Sequence, residues 1–507
     1  MSSIAPNEHS ASRAHASDLK ATTTQNLYAL LAPITVPPTS PRAIFTNWGL
    51  AFRCRPLSVF EPETENQCRT VIELARREGV TLRAGAVGHS PSDLACTGGF
   101  MIRTDKMNKL LHVDEANGLV TVQPGMTLNA LHEHLASHDL ALPSVGSISD
   151  QSVGGVVVTS THGSGLHPTA PSNISLSVRS LIIILSSGVQ VTCSRDPKED
   201  PDLFLATLCG LGTTGFITQV TFKCEKRFKL KEIAFNMPFD NFVDDFENIA
   251  TSAEHVRCWY FGQRGVVRVS QCNRTSEPYK AAGSWFRNVF LTYHVVQFML
   301  YIGRFWPQVN TWTARFASWV MKEHTEGVDD SWKIFNVDCR YPQHTTEFAL
   351  PLSNTPAALR DLRTWFEKEM ADPNGIRPHF PFEVRFSEAD DVWLSPANGR
   401  RTCWVGVAQY KPYSLPVPFQ TLFAHFERIM IAHGGRPHWA KFHPFGPNEL
   451  KETYPMWDKF LDVRKRVDEE GLWVNEYIRR CFGVEGIGAE GAEKGDERNK
   501  WRYGEIM

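Results

Sequence analysis

The chain has 507 residues, which is long for a single hydrophobic core and predicts two or three domains. Its content of 42% hydrophobic and 21% charged residues is typical of a globular protein. A formal net charge of −2 gives no electrostatic reason to expect a nucleic-acid partner.

The eleven cysteines form no CxxC pair and no cluster with histidine at zinc-ligand spacing, so we expect no metal site. An odd number of cysteines in a large chain argues against a disulfide framework. We therefore expect reduced thiols in an intracellular compartment.

The first 225 residues divide into a tail and an α+β unit. Residues 1–41 are rich in Ser, Thr, Ala and Pro and lack the apolar core of a secretory signal, so we expect a disordered tail. From residue 42 to 225 the pattern predicts alternating helices and strands. The clearest are a helix over 65–78, a strand over 81–84, a hairpin around Asn117-Gly118, a helix over 128–137 and a buried strand over 181–185.

The second half, residues 226–482, is denser in aromatic residues and poorer in glycine turns. It predicts helices over 357–370 and 419–433 and a strand over 402–409, which together form a cap over the first domain. Residues 483–507 are rich in Gly, Glu and Lys and predict a loose tail. The fold class expected for the whole chain is α+β, with two domains.

Residues 285–306 are aromatic and apolar, but Arg287, His294, Gln297 and Arg304 interrupt them. A membrane-spanning helix needs ~20 nearly uninterrupted apolar residues. Two predictions stay open: a buried core helix, or a helix that lies in a membrane interface with Trp, Tyr and Arg at headgroup level.

Three glycine-rich turns lie in the first domain, over residues 83–93, 144–165 and 210–215. Such turns let backbone N–H groups converge on a phosphate without obstruction from Cβ atoms. They match neither a Walker loop nor the GxGxxG dinucleotide fingerprint. The second turn has the composition of a Ser/Gly linker, but the apolar Val153 and the valines at 156–158 argue against a solvated linker.

Two motifs of the second half carry charged groups. Glu383 and Arg385 alternate on a predicted strand and therefore share a face. Taken alone they fit an ordinary ion pair on a solvated face. The run His438-Trp439-Ala440-Lys441, taken alone, fits a buried tryptophan beside a surface lysine.

Together the three turns and these two motifs, in this order, resemble the vanillyl-alcohol oxidase flavoprotein family, in its sugar-lactone oxidase branch. The resemblance covers roughly residues 42–482. It implies a two-subdomain FAD-binding domain followed by a substrate domain, and FAD as cofactor. By this resemblance His89 is joined covalently to FAD; a lone histidine in a turn would otherwise be a lining or capping residue.

The resemblance also implies the site residues. Those implied for FAD binding are Ala84, Gly85, Ala86, Val87, Gly88, His89, Ser90, Ser92, Asp93, Ser144, Gly154, Gly155, Ser160, His162, Gly163, Gly215 and Ile217. His162 would either line the flavin or only satisfy its loop. Those implied for catalysis are Glu383, Arg385, Lys441 and His438.

The activity implied is oxidation of an aldono-1,4-lactone to an ascorbate-type enediol, with O2 reduced to H2O2. We expect small residues over 122–125 to leave O2 a path to the flavin, which favours an oxidase over a dehydrogenase. An alditol or carbohydrate oxidase and a membrane-associated scaffold that binds flavin without turnover are the alternatives. The resemblance further implies a mitochondrial membrane location, with residues 285–306 as a peripheral contact.

Overall fold

The computed structural model describes residues 18–166, 172–337 and 340–488. The tail predicted over residues 1–17, and residues 489–507 of the second predicted tail, lie outside these ranges. Ten cysteines are described, and all ten are free and buried.

The first half contains small sheets with helices between them. In chain order its elements are α1 (Thr24–Leu31), β1 (Phe45–Thr46), β2 (Arg53–Cys54), β3 (Ser58–Phe60), α2 (Glu65–Arg77), β4 (Leu82–Gly85), β5 (Phe100–Arg103), β6 (Leu110–Asp114), β7 (Leu119–Val122), α3 (Leu128–Ser137), β8 (Leu140–Ala141), α4 (Val153–Val158), β9 (Val178–Ile184), β10 (Gln190–Ser194), α5 (Pro201–Thr207), β11 (Phe216–Lys223) and β12 (Glu225–Lys226). The helices predicted over 65–78 and 128–137, the hairpin and the two strands are confirmed.

Two sheets organise this half. Strands β3, β5 and β4 form a parallel sheet in that order, and β10, β9, β11, β7 and β6 form an antiparallel one. Thr64 caps the N-terminus of helix α2, because its side chain accepts a hydrogen bond from the Gln67 N–H at 3.3 Å. The first glycine-rich turn follows β4, and Thr104 follows β5, so both lie at the carboxyl edge of the parallel sheet.

The second half is built on one large sheet. Its elements are β13 (Lys229–Pro238), α6 (Phe239–Asp244), α7 (Phe246–Ala250), β14 (His255–Phe261), β15 (Val266–Thr275), a π-helix (Phe286–Val295), α8 (Val296–Gly303), α9 (Gln308–Val320), β16 (His324–Asp330), α10 (Ser331–Phe335), β17 (Gln343–Pro351), α11 (Thr355–Ala371), β18 (Phe382–Ser387), β19 (Thr402–Tyr410), α12 (Gln420–Ala432), β20 (Arg436–Pro437), α13 (Pro447–Thr453), α14 (Trp457–Val467) and α15 (Glu476–Phe482). The strands pair in the order β16-β13-β15-β14-β18-β19-β17-β20, all antiparallel.

Residues 18–41 differ from the prediction of a disordered tail. They contain α1, whose Leu27 and Leu31 are buried in a core shared with α2. The guanidinium of Arg77 donates to the Leu19 carbonyl at 2.7 Å. The low-complexity composition gave no sign of the short amphipathic helix α1. Few apolar residues are enough to stabilise such a helix when a partner helix covers them.

The end of the second half returns to the first. Leu472 and Trp473 lie in the core around α2, and the Leu82 N–H donates to the Leu472 carbonyl at 2.8 Å. The predicted division at residue 226 placed this segment in the second domain. The chain does change sheets between β12 and β13. However, the segment around Leu472 and Trp473, here called the C-terminal strap, returns to the first half and packs in its core.

The segment 285–306 is not a buried core helix. It forms the π-helix and α8, which pack beside α9, and it leaves large side chains in solvent. The exposed aromatic residues of these three helices and of the turn that follows α8 are Trp285, Phe286, Phe290, Phe298, Phe305, Trp306, Trp312 and Trp319. Within the described part of the chain, no helix is long and apolar enough to cross a membrane.

Candidate active site

A narrow cavity lies among the three glycine-rich turns of the first half. Its walls include Phe45, Arg83, Ala84, Ala86, Val87, Gly88, His89, Ser90, Ser92, Thr104, Pro124, Gln151, Gly154, Gly155, Thr161, Leu211, Gly212, Ile217 and Ala440. Most of these side chains are small, so the wall presents backbone polar groups to the cavity. Ala440 belongs to the second half, which therefore closes one side.

Arg83 holds the first and third turns together. Its guanidinium donates to the carbonyls of Leu94 at 3.0 Å and Leu211 at 2.8 Å, and to that of Trp473 at 2.9 Å. Burial lowers the pKa of Arg83 to about 10, so the group remains charged at neutral pH. A buried cation that binds three carbonyls fixes the spacing of the turns around the cavity.

The polar atoms of the narrow cavity fit a long polar cofactor. Thr104 Oγ1 and Gln151 Oε1 are buried in its wall, and among the described residues neither has a hydrogen-bond partner. Gly154 approaches so closely that an added Cβ would lie 2.9 Å from the Pro124 Cβ. Buried polar atoms without partners are costly, and a bound group with phosphates and hydroxyls would satisfy them.

His89 occupies the wall of this cavity beside Trp48. The two rings stack with centroids 5.2 Å apart, and the backbone N–H of Trp48 donates to the Gly88 carbonyl at 2.8 Å. Gly88 has φ +80°, a conformation that favours glycine. This local geometry orients the His89 ring along the cavity wall.

A wide cavity of about 970 Å³ lies over one face of the eight-stranded sheet. The register places Glu347 opposite Gly406 and Gly406 opposite Glu383, so all three positions share that face. Because Gly406 carries no side chain, the two carboxylates flank an open space. Lys441 and Arg385 also line this cavity.

Glu347 is a buried carboxylate shared by three basic side chains. Its oxygens lie 3.3 Å from His162 Nε2, 3.6 Å from Lys441 Nζ and 3.8 Å from an Arg385 guanidinium nitrogen. Arg385 also binds Glu383 at 2.7 Å. The four charged groups form one network, which is far from the solvated pair that Glu383 and Arg385 suggest in isolation.

The charge states of this network follow from burial and pairing. Burial alone would raise the pKa of Glu347, but the hydrogen bond from His162 and the charges of Lys441 and Arg385 hold it well below its usual range. Burial lowers the pKa of His162, although its contacts with the Glu347 carboxylate and the Gly163 carbonyl act in the opposite direction. Burial also holds the pKa of His438 well below its usual value.

Ligand atoms of His162, Glu347 and His438 lie within 4.8 Å of one another, which is close enough for a metal ion. However, the ammonium group of Lys441 and the guanidinium of Arg385 contact the same carboxylate. Two resident cations repel a third and already neutralise the carboxylate. The cluster is therefore better described as an ion-pair network.

The two cavities meet at consecutive residues, because Ala440 lines the narrow one and Lys441 the wide one. Ser92 Oγ of the first turn donates to the Ala440 carbonyl at 3.0 Å. The second turn contacts the sheet, since an Arg385 nitrogen donates to the His162 carbonyl at 3.4 Å. The polar pocket and the charged network are therefore adjacent.

Two family models match this chain. An FAD-binding domain matches residues 56–194, and the model described as D-arabinono-1,4-lactone oxidase matches residues 220–481. The chain belongs to the D-arabinono-1,4-lactone oxidase family. The family resemblance inferred from the sequence motifs, FAD as cofactor and the oxidoreductase class are confirmed.

Several relatives cover most of the chain. The L-gulonolactone oxidase of Scyliorhinus torazame is 34% identical over 86% of this chain and 98% of its own length. The L-gulono-1,4-lactone dehydrogenase of Mycobacterium tuberculosis is 31% identical over 87% and 99%. The D-arabinono-1,4-lactone oxidase of Yarrowia lipolytica is 28% identical over 86% and 92%.

Among solved structures, cholesterol oxidase from Brevibacterium sterolicum aligns with a TM-score of 0.72 and 16% identity, over 89% of this chain and 99% of its own. At this identity the match concerns the fold alone, and it confirms the predicted vanillyl-alcohol oxidase type fold.

Of the residues that the sequence predicts for FAD binding, some line the narrow cavity and others do not. Those that do are Ala84, Ala86, Val87, Gly88, His89, Ser90, Ser92, Gly154, Gly155 and Ile217. Those absent from its described wall are Gly85, Asp93, Ser144, Ser160, His162, Gly163 and Gly215. Several of the latter support the wall from behind: Asp93 binds Arg480 at 2.9 Å, and a Cβ on Gly163 would lie 2.4 Å from Ser144 Oγ.

His438 and Gly125 also differ from expectation. His438 lies behind the network, 5.4 Å from the His162 ring, and is not among the described residues that line either cavity. Gly125 is closely packed, because a Cβ there would lie 1.9 Å from the Thr104 carbonyl oxygen. Of residues 122–125, Pro124 borders the narrow cavity.

Sequence reasoning missed Arg83, Thr104, Gln151 and Glu347. Thr104 carried a usable signal, because it directly follows a strand that is parallel to the strand before the first turn. Glu347 lies midway along β17, and the register of β17 with β19 decides which residues surround it. No sequence pattern within residues 343–351 predicts that register.

Proposed function

We propose that this protein oxidises an aldono-1,4-lactone, D-arabinono-1,4-lactone foremost, to an ascorbate-type enediol such as D-erythroascorbate, with FAD as cofactor. L-gulono- and L-galactono-1,4-lactone are further candidate substrates. The observation that carries the proposal is the Glu347–Arg385–Glu383–Lys441 network, which lines the wide cavity and is joined through Lys441 to Ala440 in the wall of the pocket that fits FAD.

Each group of the network has a defined task. When bound, FAD supplies the two-electron chemistry by accepting a hydride from the carbon that bears the reacting hydroxyl. Arg385 donates hydrogen bonds to lactone oxygens and orients the ring, and the Glu383 carboxylate accepts the hydroxyl proton. Lys441 places a positive charge where negative charge develops. Glu347 keeps both cations in position.

Steady-state oxidation of D-arabinono- and L-gulono-1,4-lactone, compared with xylitol and sorbitol, tests this proposal. A lactone oxidase turns over the lactones with the higher kcat/KM. Preference for the linear alditols would instead support the alditol oxidase alternative. Absence of turnover on all four would favour the scaffold that binds flavin without catalysis.

We also propose that His89 is the covalent attachment point of FAD. In support, His89 lines the narrow cavity and is oriented by Trp48. Acid precipitation of the purified protein tests it: the yellow colour should stay in the pellet of the wild type and leave the pellet in His89→Ala. Colour confined to the wild-type supernatant would refute the linkage.

We further propose O2 as the electron acceptor, reduced to H2O2. Relatives bear the names of oxidases and of a dehydrogenase, so the acceptor must be measured for this chain. About one H2O2 should form per lactone oxidised in air. Reduction of an artificial acceptor without peroxide would identify a dehydrogenase.

We propose that the exposed aromatic residues of the π-helix, α8, α9 and the turn after α8 form a surface that contacts a membrane. We also propose a mitochondrial location in the cell. Trp and Tyr prefer the membrane interface, and exposed aromatic patches are unusual on soluble monomers. The wild type should sediment with phospholipid vesicles, and replacing Trp306, Trp312 and Trp319 with Ser should release it. Leu57→Ser, at an equally exposed site outside that surface, is the control. Cell fractionation tests the location.

A further inference from the structure

The outer part of the wide cavity carries more positive charge than its own carboxylates neutralise. Nine Lys and Arg side chains line the cavity, against four Asp and Glu. All four carboxylates already have cationic partners in the cavity: Glu232 with Arg257 at 3.3 Å, Asp329 with Lys333 at 3.5 Å, Glu347 with Lys441 at 3.6 Å and Glu383 with Arg385 at 2.7 Å. The excess charge therefore belongs to other side chains.

Arg268 and Arg287 are the central members of this excess. Arg268 donates to the Lys322 carbonyl at 2.8 Å and to Thr325 Oγ1 at 2.6 Å. Arg287 donates to the Val320 carbonyl. In the described part of the chain, no carboxylate oxygen lies within 4.0 Å of either guanidinium.

The two guanidiniums bind carbonyls that are close in sequence: Arg287 binds that of Val320, the last residue of α9, and Arg268 binds that of Lys322, two residues beyond the helix. A helix end carries only about half a negative charge. It therefore offsets a fraction of the two positive charges that it holds. Two like charges in one cavity favour an anion between them.

The strand register also sets the distance between Arg268 and Glu383, the residue proposed to accept the proton of the reacting hydroxyl. The register pairs Glu383 with Trp259 and Trp259 with Arg268, so Arg268 lies two strands from Glu383 on the same face. Two strand spacings amount to about 10 Å. A six-carbon sugar chain with a terminal anionic group spans a comparable length.

The cavity volume agrees with a ligand larger than a simple lactone. Its ~970 Å³ lies at the upper end of the roughly 300–1,000 Å³ that drug-sized ligands occupy. A five- or six-carbon lactone bound at Arg385 would leave the region of Arg268 and Arg287 unfilled.

We infer that Arg268 and Arg287 form an anion-binding subsite that holds a phosphate or carboxylate at the far end of a sugar-lactone substrate. This inference rests on the proposed lactone oxidation and extends its substrate class to lactones that carry an anionic group. The neutral lactone ring binds at Glu383 and Arg385, and the anionic group is held by the guanidiniums through charge-assisted hydrogen bonds.

Calorimetric titration of the FAD-loaded protein with D-glucose 6-phosphate and with neutral D-glucose, which differ only in the phosphate, tests the subsite without relying on turnover. The phosphorylated ligand should bind about tenfold more tightly or better. Arg287→Gln and Arg268→Gln should each bring the ratio of the two dissociation constants close to one. Binding of neutral D-glucose reports in each case that the variant is folded.

Arg264→Gln is the matched control, because Arg264 also contacts α9, through Ser318 Oγ at 3.1 Å, but is not among the described residues that line the cavity. It should keep the wild-type ratio. Equal affinities in the wild type, or an unchanged ratio in Arg287→Gln, would overturn the subsite while leaving lactone oxidation untouched. A phosphate preference without any lactone oxidation would uphold the subsite and remove the proposed function.

Discussion

Glu347 carries the strongest single prediction, because its charge balances Arg385 and Lys441 in a buried position. Glu347→Gln keeps the shape and removes the charge, so both cations lose their shared partner and the lactone-binding geometry loosens. We expect kcat/KM for the lactone to fall by about a hundredfold, close to 2.7 kcal/mol of transition-state stabilisation. Steady-state kinetics measure this fall.

Two further variants separate this role from general packing. Glu347→Asp keeps the charge and should recover part of the activity. Glu388→Gln makes the same chemical change at a half-exposed glutamate that pairs with Arg401, and it should leave kcat/KM unchanged. Wild-type activity in Glu347→Gln would show that the cations need no counter-charge.

The residues that line the narrow cavity were predictable to the extent that they are contiguous in sequence. The turn from Ala84 to Ser92 bends the chain back on itself, so its neighbours in sequence are neighbours in space. Glu347 meets its partners through strand register, and Arg83 binds the Leu211 carbonyl across 128 residues of sequence. Such long-range pairings follow from how whole sheets align, which no local pattern specifies.

At the scale of elements, the packing of α12 on β17 contains a buried carboxyl group. Burial raises the pKa of Glu427 to about 7, although a hydrogen bond from Thr346 Oγ1 at 3.3 Å acts in the opposite direction. The unfolded chain releases this proton at a lower pH than the folded one. Stability from this group is therefore full below about pH 4.5 and is lost as the pH rises towards 7.

Glu427→Gln mimics the protonated form at every pH and should remove this dependence. Relative to the wild type, the free energy of unfolding of the variant should rise by roughly 2 kcal/mol between pH 5 and pH 8. Urea unfolding at the two pH values measures the difference. A constant difference across this range would mean that Glu427 titrates normally.

The regular elements were predicted well where a local signal exists. Helices α2 and α3 show amphipathic spacing and a threonine cap, and the β6–β7 hairpin has its Asn-Gly turn. Two elements lacked such a signal. Helix α1 lies in a low-complexity stretch, and the segment 285–306 exposes its aromatic residues where periodicity alone also allowed a buried helix.

At the scale of the whole molecule, the two halves are joined around the narrow cavity. Asp93 of the first turn binds Arg480 of α15 at 2.9 Å, and Ser92 binds the Ala440 carbonyl at 3.0 Å. The chain passes to the eight-stranded sheet between β12 and β13, near the change in composition at residue 226. The return of the C-terminal strap was not predictable, because Leu472 and Trp473 are ordinary apolar residues whose partner core lies about 400 residues earlier.

Because both halves contribute to this cavity, bound FAD should stabilise them together. In His89→Ala, where FAD is held without a covalent bond, removal of the cofactor should lower the thermal unfolding midpoint by a few degrees. A ligand at about 100 times its Kd contributes about 2.7 kcal/mol to stability, and restoring FAD should restore the midpoint. Differential scanning calorimetry of stripped and reloaded protein measures the shift, with Leu57→Ser in the same background as control. If stripped and reloaded protein unfold at the same temperature, FAD does not bridge the halves, and contacts of the protein itself, such as those of Arg83, Ser92 and Arg480, hold the narrow cavity together.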